Sequence, residues 1–226
     1  MTAGSPKILV FDTSGPACLA GLIVSARGLP SPTDKPGASD KPDLADIGPV
    51  ATRIEDMARG QAERLMPMLE EFLAERHLTW PDLDAIGVGI GPGNFTGIRI
   101  SVSAARGLAM GLGIPAIGVS AFQAASLTQG LPYYVAVPGP RDHAYLAKMT
   151  GMTAQMSKPK LVPADALGDL DAPLIRYDDV SQADRIANMA QFAFARRGMA
   201  APPPSPLYVK PADAAPPRDP APVLLP

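Results

Sequence analysis

The sequence predicts an α/β fold of two mixed-sheet subdomains, the second reduced. Three observations carry this prediction. Three short β-prone runs open the chain, strand and helix patterns then alternate, and proline concentrates between Leu29 and Pro49 and again from Pro202 onward. Neighbouring strands followed by crossover helices give a mixed sheet with helices packed on it.

The elements follow in order. Residues 8–12 are an apolar run ending in Asp12-Thr13-Ser14-Gly15, a strand entering a turn, and residues 17–24 return as its hairpin partner. Residues 27–48 are rich in Pro, Asp, Ser and Gly and have no period, which predicts a long exposed loop. Residues 50–54 alternate and supply a third strand. Ala62, Leu65, Leu69, Phe72 and Leu73 then recur at helical spacing up to Arg76. Pro67 interrupts that helix and predicts a kink, or a regular part that begins near it. Residues 85–90 form a strand suited to a buried position.

Residues 91–97, Gly-Pro-Gly-Asn-Phe-Thr-Gly, form a tight loop, with Thr96 as the expected N-cap of a second helix. That helix places Ile98, Val102, Ala105, Ala109 and Leu112 on one face. Residues 114–119 return to strand, and Ser120 caps a short third helix. This is the order of a ribonuclease-H-like half of the actin and sugar-kinase class, whose members carry two halves. The second half is thinner. It holds a hairpin around Pro138-Gly139-Pro140-Arg141-Asp142, a strand at 173–177 and a helix at 181–197 with Ile186, Met189, Ala190 and Ala193 inward. The expected division is 1–126, 127–200 and a Pro-rich tail at 201–226.

Composition narrows the function. The 226 residues are 46% hydrophobic, enough for a sizeable core, and the apolar runs are too broken to span a bilayer. Residues 1–7 do not resemble a signal peptide. A soluble, cytoplasmic protein without membrane contact is expected. Cys18 is the single cysteine, so no internal disulfide forms. The net charge of −2 and scattered Lys and Arg leave no basic stripe, so any transfer-RNA contact is expected to be shared with a partner.

Two loops resemble phosphate sites in outline. Gly91, Gly93, Asn94 and Thr96 precede a helix, where outward amides can hold an anion. The glycine spacing fits neither the dinucleotide fingerprint nor the P-loop. Asp12, Thr13 and Ser14 end a strand where actin-like proteins hold a metal-bound nucleotide. That chemistry needs a second glycine-rich loop, and after Gly130 Gly139, Gly151, Gly168 and Gly198 stand far apart. Both loops read as structural turns or vestigial nucleotide loops. His77 and His143 do not form a zinc motif, and Ser14 has no evident base. No catalytic residue and no metal ligand is expected.

The two first-half helices are more informative. The second is crowded with Ser101, Ser103, Ala104, Ala105, Gly107, Ala109 and Gly111, and carries Arg99, Ser103, Arg106 and Met110 opposite its core face. Periodicity divides evenly between a wide core and a partner surface.

Residues 8–14, Ile-Leu-Val-Phe-Asp-Thr-Ser, together with residues 59–67, Arg-Gly-Gln-Ala-Glu-Arg-Leu-Met-Pro, and the long run 82–99 around Gly-Pro-Gly-Asn-Phe-Thr-Gly-Ile-Arg, resemble the TsaB (YeaZ) family. Leu207-Tyr208-Val209-Lys210-Pro211 is similar to that family's C-terminal segment. The resemblance is strong over residues 7–126 and patchy beyond. Gln61 stands where the family usually has His, and Pro138-Gly139-Pro140 replaces an Asp-Ala-Arg hairpin.

The resemblance implies an actin-like fold and a non-catalytic partner of the TsaD transferase, which installs threonylcarbamoyl on an adenosine beside the transfer-RNA anticodon. It also implies a TsaE-type ATPase as a further partner and a homodimer when the chain is alone. No cofactor of its own is implied, beyond ATP or ADP at the subunit junction. The expected interface is Gln61, Arg64, Leu65, Met68 and Phe72 on the first helix, with Arg99, Ser103, Ala104, Arg106, Gly107 and Met110 on the second. The alternatives are a nucleotide-using enzyme of the actin-like class built on Asp12 and the glycine loop, and a metallopeptidase, since relatives are often labelled glycoprotease.

Overall fold

The computed structural model describes residues 5–24, 49–126, 131–151, 156–200 and 202–209. The Pro-rich loop expected at 27–48 and the tail beyond 209 lie outside the described residues.

The first sheet is built from β1 (Lys7–Asp12), β2 (Ala17–Val24), β3 (Ala51–Asp56), β4 (Ala85–Gly89) and β5 (Ala116–Val119), in the order β3-β2-β1-β4-β5. β2 runs antiparallel to β1 and β3, whereas β4 is parallel to β1 and β5. Strand β1 is buried on both faces, and its alternation divides the core. Leu9 and Phe11 join Leu65, Leu69, Phe72, Ile98 and Val102 from α1 (Gln61–Ala74) and α2 (Phe95–Leu112). Ile8 and Val10 face the other way, onto Ile186, Met189, Ala190 and Ala193.

Those last residues belong to the C-terminal helix. The short α3 (Ala121–Ala124) leads into the second sheet, formed by β6 (Tyr133–Pro138), β7 (His143–Met149), β8 (Lys160–Pro163) and β9 (Leu174–Arg176) in the order β8-β7-β6-β9. The β6–β7 hairpin turns at Arg141 and Asp142, both with positive φ (51° and 55°), the pair of left-handed residues that a tight hairpin uses. The final helix, α4 (Gln182–Arg196), then crosses back and packs on the first sheet rather than on the second. Ser181 caps it, its hydroxyl accepting from the Asp184 amide at 3.1 Å.

Several local expectations change. α1 runs through Pro67 without ending there. The ring's side is exposed, and burial of Leu65, Met68, Leu69, Phe72 and Leu73 along the opposite face holds the helix together. The N-cap of α2 is Asn94, not Thr96: the Asn94 side chain accepts from the Gly97 amide at 2.9 Å, which starts the helix at Phe95. Strand β8 had no counterpart in the sequence reading.

Candidate functional site

The two loops singled out as vestigial phosphate sites are joined to each other. After β1 the chain turns sharply. Ser14 donates its amide to Asp12 Oδ1 at 2.9 Å and its hydroxyl to Asp12 Oδ2 at 2.8 Å. The Ser14 carbonyl accepts from the Asn94 amide at 2.8 Å. Thr13 donates its hydroxyl to the Gly97 carbonyl at 2.7 Å. A β-carbon at residue 97 would collide with the Thr13 carbonyl oxygen, so glycine is needed for the approach. Gly91 turns with φ 88°, a left-handed conformation. The amides of Ser14, Asn94 and Gly97 are thus engaged within the fold.

Asp12 is 5% exposed, and burial pushes its carboxyl above the usual range, offset in part by the Ser14 bonds and the charge of Arg185. That arginine, on α4, lies with its guanidinium 4.0 Å from the Tyr177 ring centroid. Sequence reasoning missed both residues, because nothing in the chain order says that α4 returns to the end of β1. Both Asp12 oxygens accept bonds from Ser14, so the carboxylate is engaged within its own turn. Among the described residues, no group of three or more His, Cys, Asp or Glu side chains could hold a metal ion. Cys18 is buried, and its thiol is pushed up to about 11 by burial, away from nucleophilic use.

A surface cavity of about 590 Å³ opens beside these loops, between the Ser14–Pro16 turn, the start of α1 from Ala58 to Glu63, and Asn94, Thr96, Gly97 and Ile100 of α2. Both helices leave it with their outer faces toward solvent.

The expected interface residues separate into two groups. Leu65, Met68 and Phe72 are 0–1% exposed and fill the core beneath α1, so they offer nothing to a partner. Leu65 and Phe72 lie on the apolar stripe that the spacing predicts, and Met68 packs beside them in the same core. Arg64 is committed within the chain. It pairs with Glu55 at 2.6 Å and Glu71 at 2.6 Å, while Arg53 pairs with Glu55, Glu71 and Glu75, each at 2.9 Å. This ladder ties edge strand β3 to α1. Gln61 is half-buried and donates to the Met57 carbonyl at 3.2 Å.

On α2 the expected residues lie outward. Arg99, Ser103, Arg106, Gly107 and Met110 are exposed, Met110 to 84%, and Ala104 is half-buried against the core. A β-carbon at Gly107 would meet nothing within 4 Å. No helix among the described residues is long and apolar enough to cross a membrane.

The fold and site together define an actin-like α/β protein whose two site loops are hydrogen-bonded to each other. The chain belongs to the TsaD family: the family model described as tRNA N6-adenosine threonylcarbamoyltransferase matches residues 54–206. The resemblance to TsaB proteins is borne out by relatives. The chain is 37% identical over 114 residues to the tRNA threonylcarbamoyladenosine biosynthesis protein TsaB of Escherichia coli, covering 50% of this chain and 40% of that protein. It is 40% identical over 114 residues to TsaB of Haemophilus influenzae, covering 50% and 39%. It is also 37% identical over 119 residues to the tRNA N6-adenosine threonylcarbamoyltransferase of Paracoccus denitrificans, covering 45% and 33%. The chain therefore matches less than half the length of these relatives. The solved structure of YeaZ from Pseudomonas aeruginosa superposes with a TM-score of 0.63 at 21% identity, over 90% of this chain and 99% of that one. At that identity the likeness is one of fold.

Proposed function

We propose that this chain serves the synthesis of threonylcarbamoyladenosine in transfer RNA as a non-catalytic subunit. It docks a TsaD-type transferase through the outer faces of α1 and α2. The observation that carries the reading is the α2 stripe of Arg99, Ser103, Arg106, Gly107 and Met110, which faces solvent although both neighbouring cores are filled. Met110, at 84% exposure, is a large apolar side chain with no place in the monomer.

Charge supports the pairing. α2 contains Arg99 and Arg106 and no acidic residue, while α1 turns Glu63 and Glu70 outward. Two related subunits meeting about a two-fold or pseudo-two-fold axis set the acidic helix of each against the basic helix of the other. The same arrangement serves a homodimer when the transferase is absent. The TsaE-type ATPase then joins the pair, ATP or ADP at the junction is held by the partner, and transfer RNA reaches this chain through the transferase, in the cytoplasm. The named relatives support the pathway, and the joined loops support a subunit that does no chemistry alone.

Co-expression with the TsaD-type subunit of the same organism tests this. The tagged chain should retain the partner, and Gly107→Arg should lose it while circular dichroism stays unchanged, because residue 107 faces open space. Undiminished recovery with the variant rejects the interface.

A further inference from the structure

We propose that the C-terminal segment is part of the docking surface, with Tyr208 a positioning residue that holds Arg99 ready for a carboxylate on the TsaD-type subunit. This rests on the docking reading above and extends it beyond the two helices.

Residues 202–209 return to the first half of the chain. The Leu207 amide donates to the Ile90 carbonyl at 2.8 Å, and Pro204 is buried close to Gly118. These anchors lay Tyr208 over the first turn of α2. Its ring stacks on Phe95 with centroids 5.5 Å apart. Arg99 completes the cluster: its guanidinium carbon lies 3.8 Å from the Phe95 ring centroid, and its Nε donates to Tyr208 Oη at 3.0 Å.

Arg99 is thereby fixed by a stacked ring and a hydrogen bond on a surface where an arginine would otherwise sample many rotamers. Its two terminal nitrogens have no partner among the described residues, so the planar fork remains available for a bidentate contact. Fixing it in advance removes an ordering cost from association. Phe95, Arg99, Ser103, Arg106 and Met110 follow one another at three- and four-residue spacing, so the cluster continues the α2 stripe rather than forming a separate patch.

Both aromatic rings are half-exposed, Phe95 to 52% and Tyr208 to 49%. Tyrosine and arginine together mark the energetic centres of protein interfaces. A protein carboxylate is favoured over an RNA phosphate because the chain is net −2 and α2 carries only two cations, Arg99 and Arg106, fewer than a surface that grips an RNA backbone needs.

The test is titration calorimetry of the full chain with the TsaD-type subunit, with and without transfer RNA. Tyr208→Ala removes stack and acceptor, and Arg99→Lys keeps the charge but loses the fork. Each should weaken binding about 10-fold, a typical loss for a central contact. Tyr208→Phe keeps the stack and should lose about 3-fold. Tyr208→Ala should cost nothing further in the Arg99→Lys background, a coupling that a merely structural tail would not show. If Gly107→Arg abolishes binding while Tyr208→Ala and Arg99→Lys bind as wild type, the proposal is overturned and the docking reading stands. If Gly107→Arg also binds normally, the docking reading itself fails. Weakening seen only when transfer RNA is present would assign Arg99 to phosphate and overturn the carboxylate.

Discussion

Thr13 and Gly97 hold the two loops of the site together: the Thr13 hydroxyl donates to the Gly97 carbonyl at 2.7 Å, and the Thr13 carbonyl oxygen occupies the space that a side chain on residue 97 would need. Gly97→Ala must separate β1 from α2. We expect a loss of roughly 2–3 kcal/mol, the scale of overpacking in a close-packed interior. The midpoint of urea denaturation measures it.

Asp12 fixes the same turn from beneath. Asp12→Ala leaves the buried Ser14 amide without its acceptor and should cost about 1–3 kcal/mol. Asp12→Asn keeps an acceptor and should be far milder. The folded pKa of Asp12 is raised, so its contribution is fully present below the unfolded value and is lost as pH rises through the folded value. The stability of Asp12→Asn relative to wild type should therefore improve as pH climbs from the ordinary aspartate range toward neutrality. Urea titrations at several pH values check the sign.

The Arg53–Arg64–Glu55–Glu71–Glu75 ladder gives the opposite slope. Arg64, with Arg53, holds Glu55 below the usual carboxylate range. That contribution is present above the unfolded glutamate value and disappears as pH falls through the lowered one. The ladder lies at the surface, with Glu71 and Glu75 exposed and Arg53, Glu55 and Arg64 half-buried, so salt screens part of its effect. Arg64→Ala should lower the melting temperature slightly, less so in high salt, and should leave co-purification with the TsaD-type subunit intact.

Phe72 separates core from interface. Phe72→Ala should cost about 3–5 kcal/mol, the range for a buried phenylalanine. Any loss of partner binding should track the unfolded fraction in thermal melts. Gly107→Arg should show the reverse, a normal melt and no binding.

The sequence made most of the first half legible, because period and turn chemistry there agree. Asp12-Thr13-Ser14-Gly15 stops β1, and the 91–97 loop starts α2. Competing local signals were harder to rank. Asn94 and Thr96 both suit an N-cap, and the bond from the Gly97 amide decides for Asn94. Periodicity placed Leu65 and Phe72 on the apolar stripe of α1, but the family resemblance named them, with Met68, as interface, and all three are core. Two long-range returns were illegible. Chain order cannot reveal that α4 packs on the first sheet, or that Tyr208 folds back onto Phe95 across an aperiodic proline-rich segment. Both depend on contacts between residues far apart in sequence.

Hydrogen exchange of the full chain, alone and with the TsaD-type subunit, tests the central claim most directly. The account predicts slowed exchange across 95–112 and the exposed turn of α1 near Glu63, with β6 and β7 unchanged. Protection confined to the second sheet, or none at all in a complex known to form, would contradict it.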